Sequence, residues 1–170
     1  NALFPIDGGV LYHCTDDLKN GFYSEAADSI IQGVVKMMED HYPQRSLAVI
    51  TPFRDTVKEL QKRFSRADLD LDITIETIDR IQGMTVDYAI LYIPGRNPGF
   101  ALEERRFNVA TSRSLSTTLI ITDMPLDKLH SVPPTVIRFI NQCDKVNGQM
   151  QVSQPVKIQA SEESLQAEKP

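Results

Sequence analysis

Cysteine and tryptophan are scarce in this 170-residue chain, which holds two cysteines, Cys14 and Cys143, and no tryptophan. Two cysteines so far apart in sequence form no recognisable metal or redox pattern, and we expect both to be reduced thiols. Reduced thiols favour the cytoplasm, or the nucleus in a eukaryote. Basic residues are also in deficit, because 18 Lys and Arg stand against 23 Asp and Glu and give a net charge of -5. Such a chain has no broad basic field, so any contact with nucleic acid must be local.

Long apolar runs are missing as well. No stretch approaches the roughly 18 apolar residues of a membrane span, and no basic flank leads into an apolar signal region, so we expect no membrane partner. With 41% hydrophobic and 24% charged residues the composition is that of a globular domain. We expect one domain over residues 1–148 and, where the composition turns polar, a tail or linker over residues 149–170. The opening "NALFPID" predicts a piece of a longer chain.

Short strand-like runs alternate with helical stretches along the domain. Strands are predicted at residues 9–14, 46–51, 69–77, 87–93 and 117–123. Helices are predicted at about residues 24–41, in the stretch that carries Val57, Leu60 and Phe64 on one side, and near residues 135–143. Strands separated by helical segments predict an α/β sandwich of three layers around a mostly parallel sheet.

Polar side chains follow the predicted strands, where ligands bind in such folds. The strand 46–51 is followed by "PFRD", which contains Phe53 and Arg54, and the next strand ends at Thr77. The stretch "IDRIQGMTVD" then brings Gln82, Gly83 and Thr85. A loop with only a structural role would carry apolar side chains at these positions. The polar and aromatic side chains found there therefore predict a ligand site.

The stretch "EERRFNVATSRS" holds three arginines, Arg105, Arg106 and Arg113. On a helix a step of seven residues is about two turns, which would put Arg106 and Arg113 on one face. An alternative is a solvated face, since Arg105 and Arg106 beside Glu103 and Glu104 could be exposed ion pairs worth about 0–1 kcal/mol each.

Three segments, "AVITPFRDTVKEL", "IETIDRIQGMTVDYAIL" and "RRFNVATSRS", resemble motifs IV, V and VI of superfamily 1 helicases, in the same order. The resemblance covers roughly residues 23–123, and its motif VI is the most specific part. It is closest to the branch that contains the nonsense-mediated-decay helicases and their DNA-replication relatives, with a RecD-like "QGMTVD". It implies a RecA-like second motor domain, which has the P-loop NTPase-like fold without a P-loop of its own.

The sequence agrees with that implication, because it contains no G-x-x-x-x-G-K-[ST] and no apolar strand that ends in Asp-Glu. The resemblance implies an ATP-dependent helicase, a hydrolase, whose N-terminal P-loop motor domain in the same polypeptide would hold ATP and Mg²⁺. We expect this chain to hold no metal and, alone, to hydrolyse no ATP. The further partner would be single-stranded nucleic acid, DNA or RNA, with movement from 5′ to 3′.

The resemblance assigns two catalytic residues. Arg113 would be the arginine finger, which stabilises charge on the transferring phosphoryl group, and Arg54 would be a second phosphate contact. Arg106 would touch the nucleotide or brace the finger, and Arg105 would lie outside the site.

The other site residues would bind the nucleotide or the nucleic acid. Phe53 would offer its ring to the adenine, and Gly83 would allow the backbone to approach the nucleotide. Gln82, with Thr77 and Thr85, would link the nucleotide to the nucleic-acid track, because an amide both donates and accepts hydrogen bonds. Thr85 departs from the family, where many relatives carry a glutamate, so a contact from that carboxylate is in doubt.

Two other functions fit the same pattern of residues. A helicase-like domain could serve only as an interaction module without catalysis. A metal-dependent nuclease would need several carboxylates at one sheet edge, but Asp55, Asp79 and Asp87 are expected to cap helices or turns. His13 and Cys14, adjacent on a strand, would point to opposite faces and hold no metal together.

Overall fold

A parallel sheet of six strands forms the centre of the domain, as seen in a computed structural model that describes residues 8–64 and 69–145. The strands are β1 Gly9–Cys14, β2 Ser46–Thr51, β3 Asp72–Thr77, β4 Val86–Ile93, β5 Ser114–Thr122 and β6 Asp144–Lys145. Their order across the sheet is β3-β2-β4-β5-β1-β6, and every pairing is parallel. The five predicted strands are confirmed, with β3 beginning at Asp72 rather than at residue 69 and β5 spanning Ser114–Thr122 rather than residues 117–123. Two-residue β6 was missed because so short a strand carries no periodic pattern.

Within the described residues five helices connect the strands: α1 Glu25–His41, α2 Arg54–Phe64, α3 Pro98–Ala101, α4 Glu104–Thr111 and α5 Pro134–Gln142, with a 3-10 turn at Leu126–Lys128. Ser24 caps α1, because its Oγ accepts a hydrogen bond from the backbone N–H of Ala27 at 3.0 Å. The predicted helices are confirmed, and four-residue α3 was not predicted. The predicted tail, residues 149–170, lies outside the described residues.

Helices cover both faces of the sheet. On one face the buried side chains of α1 and α2 pack against alternate strand residues such as Val49 and Ile90. On the other face α3, α4 and α5 pack against the intervening residues, such as Ile50 and Leu91. The central strands are therefore buried on both faces, which explains their continuous apolar sequences. The predicted fold class, an α/β sandwich of three layers with a RecA-like arrangement, is confirmed.

None of the helices in residues 8–64 and 69–145 combines the length and the apolar character needed to cross a membrane.

Candidate functional site

Two of the predicted site residues, Phe53 and Arg54, directly follow the carboxyl end of β2, as the sequence indicated. The half-buried ring of Phe53 lies 6.0 Å from the ring of Phe100, nearly parallel to it at 23°. Phe22 meets Phe53 edge to face at 5.4 Å. Phe53 is thus held in an aromatic cluster, and its predicted contact with adenine stays a prediction.

Arg54 and Thr77 share a groove between α2 and the end of β3, which we call the α2 groove. Its volume is about 180 Å³, and it is lined by Arg54, Val57, Lys58, Gln61, Glu76, Thr77 and Arg80. Lys58 and Arg80 were not singled out from the sequence. The signal for Lys58 was present, because residues four apart share one face of a helix.

A second concavity, the α4 cleft, lies between α4 and the turn that follows β3. Its volume is about 460 Å³, within the range of small-molecule sites, and it is lined by Ile78, Asp79, Gln82, Glu103, Arg105, Arg106 and Val109. The cleft brings Gln82 and Arg106 together, as predicted for a shared site. Arg105, which is exposed, lines the cleft as well, and its predicted place outside the nucleotide site stays a prediction.

The guanidinium of Arg106 is held on several sides in the α4 cleft. Its central carbon lies 3.9 Å from the centre of the Phe100 ring, a cation–π contact. Its Nε is 3.7 Å from Oδ1 of Asp79, and its Nη1 is 3.4 Å from Oε2 of Glu103. The ion pair expected from the solvated-face interpretation therefore exists, but it lies at the rim of a cleft.

Glu103 also caps α4. Its carboxylate accepts hydrogen bonds from the backbone N–H groups of Arg105 at 3.1 Å and Arg106 at 3.3 Å. These two bonds, the first of them most strongly, hold the pKa of Glu103 below its usual value. A carboxylate at this position also faces the positive end of the helix dipole. Glu103 is therefore a helix cap rather than an ordinary surface glutamate.

Arg113 lies outside the helix, because α4 ends at Thr111. The hydroxyls of Thr111 and Ser112 donate hydrogen bonds to helix carbonyls, those of Phe107 at 2.9 Å and Val109 at 3.1 Å. The chain then enters β5. The helical step of seven residues from Arg106 therefore does not apply, and the prediction of one shared helix face is wrong.

The backbone of Arg113 lies at the amino ends of β4 and β5. Its carbonyl accepts a hydrogen bond from the N–H of Val86 at 3.0 Å, and Val86 pairs with Ser114 in the sheet. Thr85 precedes Val86, and Gly83 two residues earlier has a φ of +85°, which favours glycine. Thr85 is thus at the same end of the sheet as Arg113.

The side chain of Arg113 is half-buried and carries no ion pair within the described part of the chain. Its Nη2 donates to Oγ of Ser112 at 3.0 Å. Its Nε is buried and has no hydrogen-bond partner among the residues described. The buried Nε is closed to a ligand, and the guanidinium has no carboxylate partner among the described residues.

The structure does not bring Arg54 and Arg113 together. Arg54 follows the carboxyl end of β2, whereas Arg113 precedes the amino end of β5. The six residues of β2 alone span about 20 Å. Because the strands are parallel, this length separates the two arginines, and they do not meet on one phosphate group. Phe53 is separated from Arg113 in the same way.

One segment, residues 78–85, joins the two ends of the sheet. It begins after Thr77 at the carboxyl end of β3 and reaches Val86 at the amino end of β4. Ile78 and Ile81 anchor it in the core, with 2% and 1% of their surface exposed. The segment contributes Arg80 to the α2 groove and Gln82 to the α4 cleft.

The three aspartates considered as caps or turn residues have separate positions. Asp55 lies in the first turn of α2. Asp79 faces Arg106. Asp87 accepts a hydrogen bond from the backbone N–H of Ser46 at 2.9 Å, which ties β4 to the start of β2. Within residues 8–64 and 69–145 no three His, Cys, Asp or Glu side chains form a group that could hold a metal ion.

A parallel sheet of this strand order between two helical layers is a RecA-like arrangement. A family model described as an AAA domain matches residues 14–125, more than half of the chain. The chain belongs to this AAA domain family, and the resemblance to the C-terminal motor domain of superfamily 1 helicases is confirmed.

Three curated relatives are similar in sequence. DNA polymerase alpha-associated DNA helicase A of Saccharomyces cerevisiae is 31% identical over 104 residues, which cover 58% of this chain and 15% of that protein. Probable helicase MAGATAMA 3 of Arabidopsis thaliana is 28% identical over 147 residues, 82% of this chain and 18% of that protein. An uncharacterized ATP-dependent helicase of Methanocaldococcus jannaschii is 25% identical over 122 residues, 71% of this chain and 18% of that protein.

The chain thus spans less than a fifth of the length of these relatives. Among solved structures, the C-terminal domain of a possible DNA helicase from Lactobacillus is similar with a TM-score of 0.49 and 12% identity, over 78% of this chain and 80% of that one.

Proposed function

We propose that this chain is the second motor domain of an ATP-dependent helicase and that it closes an ATP site carried mainly by a P-loop domain. The relatives are named as helicases, and one of them as ATP-dependent. The single observation that carries the proposal is the state of Arg113. Arg113 lies at the amino ends of β4 and β5, and its guanidinium has no carboxylate partner in the described part of the chain.

Arg113 would act as an arginine finger. Negative charge spreads over the transferring phosphoryl group, and a guanidinium supplied by a second domain accelerates the transfer by about 10³–10⁵. A finger must have donors free in the absence of nucleotide, and an arginine already held by carboxylates would first have to give them up. Among the described residues Arg113 has no such partner to lose. Mg²⁺ belongs with the P-loop domain in this proposal, because P-loop enzymes hold it with their own Ser/Thr and a separate Asp.

The α4 cleft would form the adjoining part of the nucleotide site. Gln82 and Arg106 face the same space, and Asp79 with Glu103 fixes where the Arg106 guanidinium can reach. Arg106 would therefore meet the nucleotide in a preset position, which reduces the entropy lost on binding. Gly83 and Thr85 border the amino end of β4 beside Arg113 and would contact the same ligand from the backbone and a hydroxyl.

The nucleic-acid track would lie at the opposite end of the sheet, where Thr77 ends β3. Such a division gives each ligand one end of the sheet, with residues 78–85 between them. Gln82 would link the nucleotide to the nucleic acid, because its amide lies on the segment of residues 78–85.

The experiment is a substitution in a protein that carries a P-loop domain together with this one. Arg113→Ala should reduce nucleic-acid-stimulated ATP turnover at least 100-fold, the lower part of the range for arginine fingers being ~10³. Arg138→Ala, an exposed arginine on α5, is the matched control and should stay within about twofold of wild type. An Arg113→Ala protein that is folded and keeps more than about a tenth of wild-type turnover would rule out the finger and favour a non-catalytic interaction module.

A further inference from the structure

We infer that Phe100 is a positioning residue of the nucleotide site, because its ring contacts both Arg106 and Phe53, two side chains expected to meet the nucleotide. The inference rests on the proposed motor function and adds to it a residue that acts through others. Phe100 belongs to α3, the four-residue helix that was not predicted from the sequence. Its effect should fall on nucleotide affinity rather than on the chemical step.

The backbone of α3 holds the ring of Phe100 in place. Pro98 fills the first position of this helix, where its fixed φ favours the helical conformation. The backbone N–H of Phe100 donates to the carbonyl of Asn97 at 3.2 Å, and that of Leu102 donates to the carbonyl of Pro98 at 3.1 Å. Ala101 and Leu102, which follow Phe100, are fully buried. The half-buried ring therefore projects from a turn that is anchored directly after it.

The contact between Phe100 and Arg106 is a close cation–π contact. The central carbon of the guanidinium lies 3.9 Å from the centre of the ring, well inside the range of about 6 Å over which this attraction acts. The approaches of Arg106 to Glu103 at 3.4 Å and to Asp79 at 3.7 Å are long for charged partners. A carboxylate partner occupies N–H donors that a phosphate would need, whereas the ring attracts the charge of the whole guanidinium.

The ring matters to Arg106 because hydrogen bonds alone do not fix this side chain. Its Nε is buried and has no hydrogen-bond partner in the described part of the chain. A ligand in the α4 cleft can therefore reach the guanidinium only through its two Nη groups, which must already point into the cleft. Without the ring the side chain would sample more rotamers, and a nucleotide would have to restrict them on binding.

Phe100 also contacts Phe53, which comes from a different part of the fold. The two rings lie 6.0 Å apart and are nearly parallel at 23°. Phe53 follows the end of β2 and Arg106 lies on α4, yet both touch the same ring. The Phe53 ring and the Arg106 guanidinium can thus be no farther apart than the sum of their distances to Phe100. A fixed separation suits a ligand that carries a base at one end and phosphates at the other.

The first test is steady-state ATP turnover in a protein that carries the P-loop domain together with this one. Phe100→Leu keeps an apolar side chain but removes the aromatic face. It should raise the KM for ATP about three- to thirtyfold, the effect of losing a cation–π contact. It should leave kcat within about twofold of wild type, because removal of binding that is equal in the ground state and the transition state changes KM alone. Phe100→Tyr keeps the aromatic face and should restore KM.

The matched control is Phe139→Leu, the same change in another half-buried phenylalanine. Phe139 lies on α5 and meets Phe107 edge to face at 5.3 Å. This substitution should leave KM within about twofold of wild type, because a loss of packing alone does not reach the α4 cleft. Circular dichroism melting of the 170-residue chain checks that each variant is folded.

A double-mutant cycle tests whether Phe100 acts through Arg106. Phe100→Leu should raise KM in the wild-type background and have no further effect in Arg106→Ala, because residues that act as one unit are not additive. A series with one, two or three fluorine atoms on the Phe100 ring keeps its shape and weakens the negative face. The logarithm of KM should rise steadily along this series, which a purely structural ring would not cause.

The contact itself can be measured in the 170-residue chain without nucleotide. The Nε–H resonance of Arg106, assigned with Arg106→Lys, should carry a ring-current shift that disappears in Phe100→Leu and persists in Phe139→Leu. This measurement does not depend on the proposed motor function.

Three results would overturn the inference: an unchanged resonance in Phe100→Leu, an unchanged KM along the fluorinated series, or additive effects of Phe100→Leu and Arg106→Ala. If one of these is found while turnover still depends on Arg113, the motor function stands and the role of Phe100 fails. If KM depends on Phe100 but turnover is independent of Arg113, the nucleotide site stands and the arginine finger fails.

Discussion

The hydroxyl of Tyr92 on β4 donates a 2.6 Å hydrogen bond to Oδ2 of Asp123, the residue that follows β5. Asp123 is 2% exposed. Its other oxygen, Oδ1, accepts hydrogen bonds from the hydroxyls of Thr15 at 2.7 Å and Ser24 at 2.8 Å. One buried carboxylate therefore joins the ends of three strands to the cap of α1.

Removal of this carboxylate should destabilise the domain strongly. Asp123→Ala leaves three donors without an acceptor, those of Tyr92 and Ser24 buried and that of Thr15 partly buried. At about 1–3 kcal/mol for each group that stays unsatisfied, we expect a loss of about 3–4 kcal/mol in the free energy of unfolding. Tyr92→Phe removes one donor and should cost about 1–2 kcal/mol. Urea denaturation measures both. A loss below about 1 kcal/mol for Asp123→Ala would show that the network contributes little.

Gly95 should not tolerate a side chain. A Cβ at this position would lie 2.5 Å from the backbone oxygen of Lys19, so the loop that precedes α1 would have to move. We expect Gly95→Ala to cost about 1–3 kcal/mol, the usual range for overpacking. Gly33→Ala is the control, because no atom lies within 4 Å of its Cβ position, and alanine in a helix should instead stabilise by about 0.5–1 kcal/mol. Thermal melts of the two variants that shift in the same direction would contradict this explanation.

Asp87 predicts a pH dependence of stability. The backbone N–H of Ser46, assisted by the Ser46 hydroxyl and Arg45, lowers the pKa of Asp87 in the folded protein. A lowered folded-state pKa means that the stabilisation is present above the unfolded pKa of about 3.9 and is lost as pH falls through the folded value. Asp87→Asn should therefore be less stable than wild type at neutral pH, and the difference should shrink in acid. Urea titrations at pH values above and below 3.9 test this, and a difference that grows in acid would refute it.

The chain by itself should show no ATP turnover above background. It has no P-loop sequence to bind the phosphates. An arginine finger without a bound nucleotide has no phosphoryl group to stabilise. A coupled ATPase assay with and without single-stranded oligonucleotide makes the measurement. Turnover that disappears in Arg113→Ala would mean that the chain builds a complete site of its own.

The sheet was predictable because its central strands are buried on both faces. Val49 and Ile90 face one helical layer, and Ile50 and Leu91 face the other, so the sequence of each strand is apolar throughout. A strand buried on both faces can therefore be recognised from its own sequence, without knowledge of residues far along the chain.

The position of Arg113 was less predictable. Helical spacing treats the arginine stretch as one uninterrupted helix, but the hydroxyl bonds of Thr111 and Ser112 to helix carbonyls accompany the end of α4. Ser and Thr compete for backbone partners in this way, and periodicity alone does not register it. Similarly, the proximity of Arg80 to Lys58 depends on how α2 lies over β3, which no local pattern contains.

Residues 78–85 run from the carboxyl end of β3 to the amino end of β4 without an intervening helix. This segment is eight residues long, and Ile78 and Ile81 fix it in the core, so displacement at either end must be absorbed within a few residues. Any coupling free energy that it carries is reciprocal. If nucleic acid bound near Thr77 raises the affinity for ATP by some factor, bound ATP must raise the affinity for the nucleic acid by the same factor. A nucleotide whose binding is weakened by the nucleic acid must weaken nucleic-acid binding equally.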